Sequence, residues 1–139
     1  MKKIYSSIDP EVLLHIVYRL DDLKKGRIDI APENEYLQVA ALKLEKGKTF
    51  KPHKHIEKEK LTNIAQESWL VFQGSVKCIF YDLNDEIIEK AVLRAGDLSM
   101  TFRGGHNYVI LEEDTIVYEY KTGPYLGIEN DKEFINQKK

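Results

Sequence analysis

The chain has one cysteine, Cys78, which excludes an intrachain disulfide. It has no polybasic block: the net charge is −2 and the longest basic run is Gln137-Lys138-Lys139, read as a solubilising end. Nucleic acid is therefore not an expected partner. No apolar stretch approaches the roughly 20 residues of a membrane-crossing helix, so no membrane association is expected. No apolar segment follows Met1-Lys2-Lys3 to act as a secretory signal, and a cytoplasmic location is expected. Strand and helix patterns do not alternate along the chain, which argues against a parallel α/β sheet.

What is present is an ordinary soluble mixture. Apolar residues make up 42% and charged residues 32% of 139 positions. That length supports one core without covalent staples, and a single domain over 1–139 is expected. Cys78 sits in the apolar run Val76-Lys77-Cys78-Ile79-Phe80 and reads as a buried structural thiol.

Residues 9–25 carry a helical signature. Asp9 suits an N-cap and Pro10 the first helical position. Val12, Leu13, Ile16, Val17, Leu20 and Leu23 recur on one helical face, and Gly26 supplies a stop. On that reading His15 lies off the apolar face, partly exposed. An amphipathic helix of this kind, together with open strand edges, points to a homodimer.

From residue 36 the pattern changes. Short apolar runs at 36–44, 49–55, 68–72, 76–81, 87–93, 98–102, 108–111 and 115–120 are separated by turn residues such as Gln73-Gly74, Asn84-Asp85, Gly96-Asp97 and Gly104-Gly105. Many short strands at such spacing predict an all-β sandwich or barrel over about 36–121. The tail, 122–139, is charged and predicts a short helical turn or a frayed end.

Three of the four histidines fall in two clusters. If 49–55 is a strand, His53 and His55 share a face with Cα atoms about 7 Å apart, a spacing from which two imidazoles can meet one ion. His106 follows the Gly104-Gly105 turn and shares a face with Tyr108. Glu67 stands at the head of an apolar strand, where a buried carboxylate needs a cation or hydrogen-bond partner.

These residues resemble the cupin superfamily. Its first motif runs Gly, five residues, His-x-His, a gap, Glu, six residues, Gly; here these are Gly47, His53, His55, Glu67 and Gly74. Its second begins Gly-Asp and supplies a histidine after a glycine turn, matched by Gly96-Asp97, Gly104-Gly105 and His106. The gap between His55 and Glu67 is eleven residues, longer than the usual three or four, which leaves Gln66 as an alternative to Glu67. The second motif also lacks its usual Pro and closing Asn.

The resemblance implies a double-stranded β-helix, the cupin jelly-roll barrel, preceded here by the N-terminal helix. It also implies one divalent transition metal on His53, His55, Glu67 and His106, a donor set suited to Fe, Mn, Ni, Co or Zn. Tyr108, Lys51, Arg103 and Trp69 are candidate substrate contacts, with Trp69 filling the barrel or flanking a sugar ring.

Within the superfamily, the His-x-His, Gln66-Glu67, Gly-Gly-His and Lys121-Thr122-Gly123-Pro124-Tyr125-Leu126-Gly127 segments are similar to small cupins of bacterial surface-polysaccharide gene clusters. Three functions follow as expectations: an isomerase or epimerase acting on a carbohydrate or nucleotide-sugar, an Fe(II)-dependent dioxygenase, or a non-catalytic cupin that binds a small molecule.

Overall fold

The computed structural model describes residues 1–135. The basic end at 137–139 lies outside the described residues. The fold is all-β: β1 (Lys2–Tyr5), β2 (Leu13–Tyr18), β3 (Gly26–Asp29), β4 (Ala40–Lys43), β5 (Glu67–Gln73), β6 (Ser75–Tyr81), β7 (Ile87–Arg94), β8 (Leu98–Thr101), β9 (Gly105–Ile110) and β10 (Ile116–Lys121). Only two single-turn 3₁₀ segments, Leu20–Asp22 and Ile128–Asn130, are helical among the described residues. No helix among them is long and apolar enough to cross a membrane.

The strands pair antiparallel throughout. One sheet has five strands in the order β1-β2-β8-β5-β10, a second has three in the order β7-β6-β9, and β3 with β4 makes a hairpin. The layers are compatible with a β-sandwich. Side-chain alternation explains how they stack. On the five-stranded sheet, Ile4, Val17 and Val71 join Val76, Cys78, Phe80 and Leu93 of the three-stranded sheet in one core. Ile16, Tyr18, Leu98 and Met100 face the other way and join Ile28, Ile30 and Ala31 around the β3-β4 hairpin. Cys78 is fully buried, and burial pushes its thiol up to about 12.

The N-terminal helix expected over 9–25 is not formed. Residues 9–12 are a turn, with Val12 N–H donating to the Asp9 carbonyl at 2.9 Å, and β2 follows. Asp-Pro suits the first two positions of a type I turn as well as a helix start. The apparent helical period has a physical source. Between β1 and β8, β2 is buried on both faces, so adjacent positions such as Ile16 and Val17 are both apolar.

The strand expected over 49–55 is also absent; that segment is irregular and exposed. Pro52 withholds a ladder donor, and Lys51 and Lys54 give the segment little apolar surface to bury. The other seven expected strands are present with shifted ends.

A buried polar clamp ties the hairpin side to the start of β5. Glu35 Oε2 accepts from Gln66 Nε2 at 2.6 Å, and Oε1 accepts from Arg103 Nη1 at 2.8 Å. Gln66 Oε1 in turn accepts from Leu37 N–H at 2.8 Å. Replacing Glu35 strands a buried amide and removes the guanidinium's partner. Glu35→Ala should cost about 2–4 kcal/mol, read as a lowered urea midpoint. An unchanged midpoint would show that the clamp contributes nothing.

Candidate functional site

The inner face of the five-stranded sheet changes character along its length. Beyond the apolar end at Val17 and Val71, register places His15 opposite Thr101, Thr101 opposite Glu67, and Glu67 opposite Lys121. These four side chains lie on the strand positions whose alternate neighbours fill the inner core. The three-stranded sheet contributes His106, opposite Phe80 on β6.

Glu67 and His106 meet directly: Oε1 lies 3.2 Å from Nε2. The preceding glycines deliver the histidine. Gly104 holds φ +73°, and a Cβ there would fall 2.4 Å from the Tyr81 carbonyl oxygen, so only glycine fits this turn. Burial raises the Glu67 pKa, but the hydrogen bond from His106 and the charges of His106, Lys132 and Lys121 outweigh it. The carboxyl group titrates below its ordinary value. His106 Nδ1 is buried and has no hydrogen-bond partner among the described residues. One nitrogen of this ring therefore carries an uncompensated desolvation cost.

Two aromatic rings adjoin the pair. Trp69, two residues along β5 from Glu67, stacks on Tyr108 with ring centroids 3.9 Å apart and planes 11° from parallel. The Tyr108 ring lies 5.1 Å from that of His106, and its hydroxyl is 3.1 Å from Ser99 Oγ. Burial raises the Tyr108 pKa and keeps the phenol protonated. Trp69 Nε1 donates to Glu119 Oε2 at 3.1 Å. Trp69, partly buried, thus packs against the inner core.

The remaining expected site residues lie elsewhere. His53 and His55 are on the exposed segment, their rings 5.6 Å apart, and His53 Nδ1 lies 2.9 Å from the Lys51 carbonyl. Lys51 is exposed on the same segment. The structure therefore brings Glu67 and His106 together and does not bring His53 and His55 to them; among the described residues no group of three or more His, Cys, Asp or Glu side chains converges on one point. Arg103 engages a carboxylate, that of Glu35. Gln66 faces away from His106 and is held by Glu35 and Leu37.

His15 is the residue that sequence reasoning misplaced. It is fully buried rather than partly exposed. Its Nε2–H donates to the Tyr81 carbonyl at 3.1 Å, Nδ1 accepts from Thr101 Oγ1 at 3.1 Å, and its ring lies 4.7 Å from that of Phe80. The usable signal was Leu13-Leu14-His15-Ile16-Val17-Tyr18 read as a two-sided strand, which puts His15 and Val17 on one face.

Burial, with a smaller contribution from the nearby His106, lowers the His15 pKa from 6.5 to about 4. The unfolded chain then binds a proton that the folded chain refuses between these values, so stability falls as pH drops from 6.5 toward 4. The loss should total about 3 kcal/mol. His15→Gln should be less stable at neutral pH yet show a flatter slope between about pH 6.5 and 4.5, measured by urea denaturation at each pH. Equal slopes for the two proteins would contradict this assignment. No family model, curated protein or solved structure matches the chain, so the functional reading rests on this geometry.

Proposed function

We propose that this chain is a cytoplasmic cupin: a jelly-roll barrel that holds one divalent transition metal and acts on a carbohydrate or nucleotide-sugar as an isomerase or epimerase. The observation that carries the reading is the paired Glu67 and His106 at the polar end of the inner face, beside the stacked Trp69 and Tyr108.

The donor pair fits an ion. Two adjacent donors sharing one metal through bonds near 2.1 Å stand about 3.0–3.4 Å apart, and Nε2 and Oε1 are 3.2 Å apart. His53 and His55 would complete the set. The segment that carries them runs straight into β5, and the eleven residues 56–66 can span up to roughly 36 Å, enough for it to fold back over Glu67. Bound there, the metal would supply Lewis acidity toward a carbonyl or hydroxyl oxygen.

The protein's own groups supply the rest. With Nε2 and Oε1 both turned to the ion, His106 would carry its ring proton on Nδ1, and Glu67, whose pKa Lys132 and Lys121 also help to lower, would stay ionised and offset the ion's charge. The indole and phenol rings offer an apolar wall against which a sugar ring can be oriented. Burial around them would keep bulk water from the reacting carbon.

Purified protein reconstituted with Mn²⁺, Co²⁺ or Zn²⁺ should bind one equivalent, measured by elemental analysis after gel filtration. His106→Ala and Glu67→Gln should each weaken binding by at least about tenfold with the fold retained, and His53→Ala and His55→Ala should weaken it as well. With keto-sugar nucleotides in D₂O, the metal-loaded protein should exchange the hydrogen beside the carbonyl. Failure to retain metal after reconstitution would overturn the metal site. Oxygen consumption without exchange would overturn the isomerase assignment.

A further inference from the structure

The chain after β10 does not leave the site. Lys121, the last residue of β10, donates from Nζ to Asp131 Oδ2 at 3.1 Å, and Nζ lies 4.3 Å from the Tyr125 ring centre. Both members of this ion pair are largely shielded, with side-chain exposures of 22% and 12%. The turn Ile128–Asn130 sits between them, secured by Asn130 Nδ2 donating to the Leu126 carbonyl at 3.1 Å. Lys132 then comes close enough to Glu67 to lower its pKa.

Ile135 closes the path on Gly105, the residue before His106. Its Cδ1 lies 2.3 Å from the position a Cβ on Gly105 would take. Gly105 does not hold a positive φ, so its backbone does not require glycine. The contact does: the missing side chain leaves the notch that Ile135 occupies.

Residues 122–135 therefore cross the polar end of the inner face at three points: the ion pair opposite Glu67, Lys132 beside Glu67, and Ile135 beside His106. Thr122 continues the pairing of β10 with β5 and forms the hinge: its N–H donates to the Gln66 carbonyl and its Oγ1 accepts from Gln66 N–H, both at 3.0 Å. Beyond it, among the described residues, the segment joins no strand ladder, and Tyr125, Leu126, Ile128 and Phe134 are exposed. Such a segment opens at low cost while the sheets beneath stay closed.

We infer that residues 122–135 are a strap, latched by Lys121 with Asp131 and by Ile135 on Gly105, that covers the Glu67 and His106 end and swings aside to admit a small-molecule ligand. This rests on the reading of that end as the working site, but its test needs neither metal nor substrate.

The test is carbethoxylation of the full-length, metal-free protein by diethyl pyrocarbonate, followed histidine by histidine by peptide mass spectrometry. Asp131→Asn combined with Ile135→Ala should speed modification of His106 by about tenfold or more. His53 and His55 should react rapidly in both proteins, and His15 should stay protected in both. Gly105→Ala, which fills the notch and displaces Ile135, should reproduce the effect with the ion pair intact. An unchanged His106 rate in both variants would overturn the strap. So would a parallel rise at His15, because the segment would then be an integral part of the barrel. Metal-free protein that shows the predicted acceleration yet never retains metal would sink the metal reading and leave the strap standing.

Discussion

The structure depends on the two-sided burial of the strands β2, β8 and β5. β2 and β5 carry apolar side chains on both faces, while β8 turns Leu98 and Met100 toward the hairpin and buries Ser99 and Thr101 on the inner face, and the strict alternation of side chains divides the work. Val17 and Val71 point toward the three-stranded sheet, while Ile16, Met100 and Leu70 point toward the β3-β4 hairpin. A slip of one residue in any of these strands would exchange the two sets. The same register fixes His15, Thr101, Glu67 and Lys121 in a row on the inner face. The candidate site is thus a consequence of the core's alternation.

A polar row between two sheets is tolerable only where its members find partners. His15 uses both ring nitrogens, on Tyr81 and Thr101. Glu67 has His106, and Lys121 has Asp131. The buried side-chain atoms left without a partner among the described residues are Tyr18 Oη, on the hairpin side, and His106 Nδ1, within the row. His106 is thus held by a carboxylate on one nitrogen, while the other bears a desolvation cost that no partner among the described residues offsets. The buried Glu35, Gln66 and Arg103 clamp braces this arrangement from behind, because Gln66 precedes Glu67 and Arg103 stands at the turn before His106.

The strands from β5 onward were legible because each is a short apolar run bounded by Gly, Asn or Asp, and the pairing of Glu67 with His106 lies on two of them. The first third of the chain was misread for two reasons. Asp9-Pro10 is compatible with a helix start and with a hairpin turn. A strand buried on both faces loses the alternation that identifies strands, and β2 shows apolar neighbours that mimic a helical stripe. His15 disappeared from view with it. The segment 49–55 failed differently: His-x-His was placed on a strand, but a strand needs a ladder partner, and Pro52 with its lysines offers neither a full set of donors nor a face to bury. The latch of Lys121 on Asp131 links residues ten apart across an irregular turn, and no local periodicity announces such a contact.

What distinguishes a metal centre from a metal-free dyad is whether the two histidines of the exposed segment join the pair already formed on the strands. Crystals grown with Co²⁺ and measured above and below the cobalt absorption edge answer this directly. The account predicts one anomalous difference peak within bonding distance of Glu67 and His106, with His53 and His55 drawn onto it. A peak confined to His53 and His55, or none at Glu67 and His106, would contradict it.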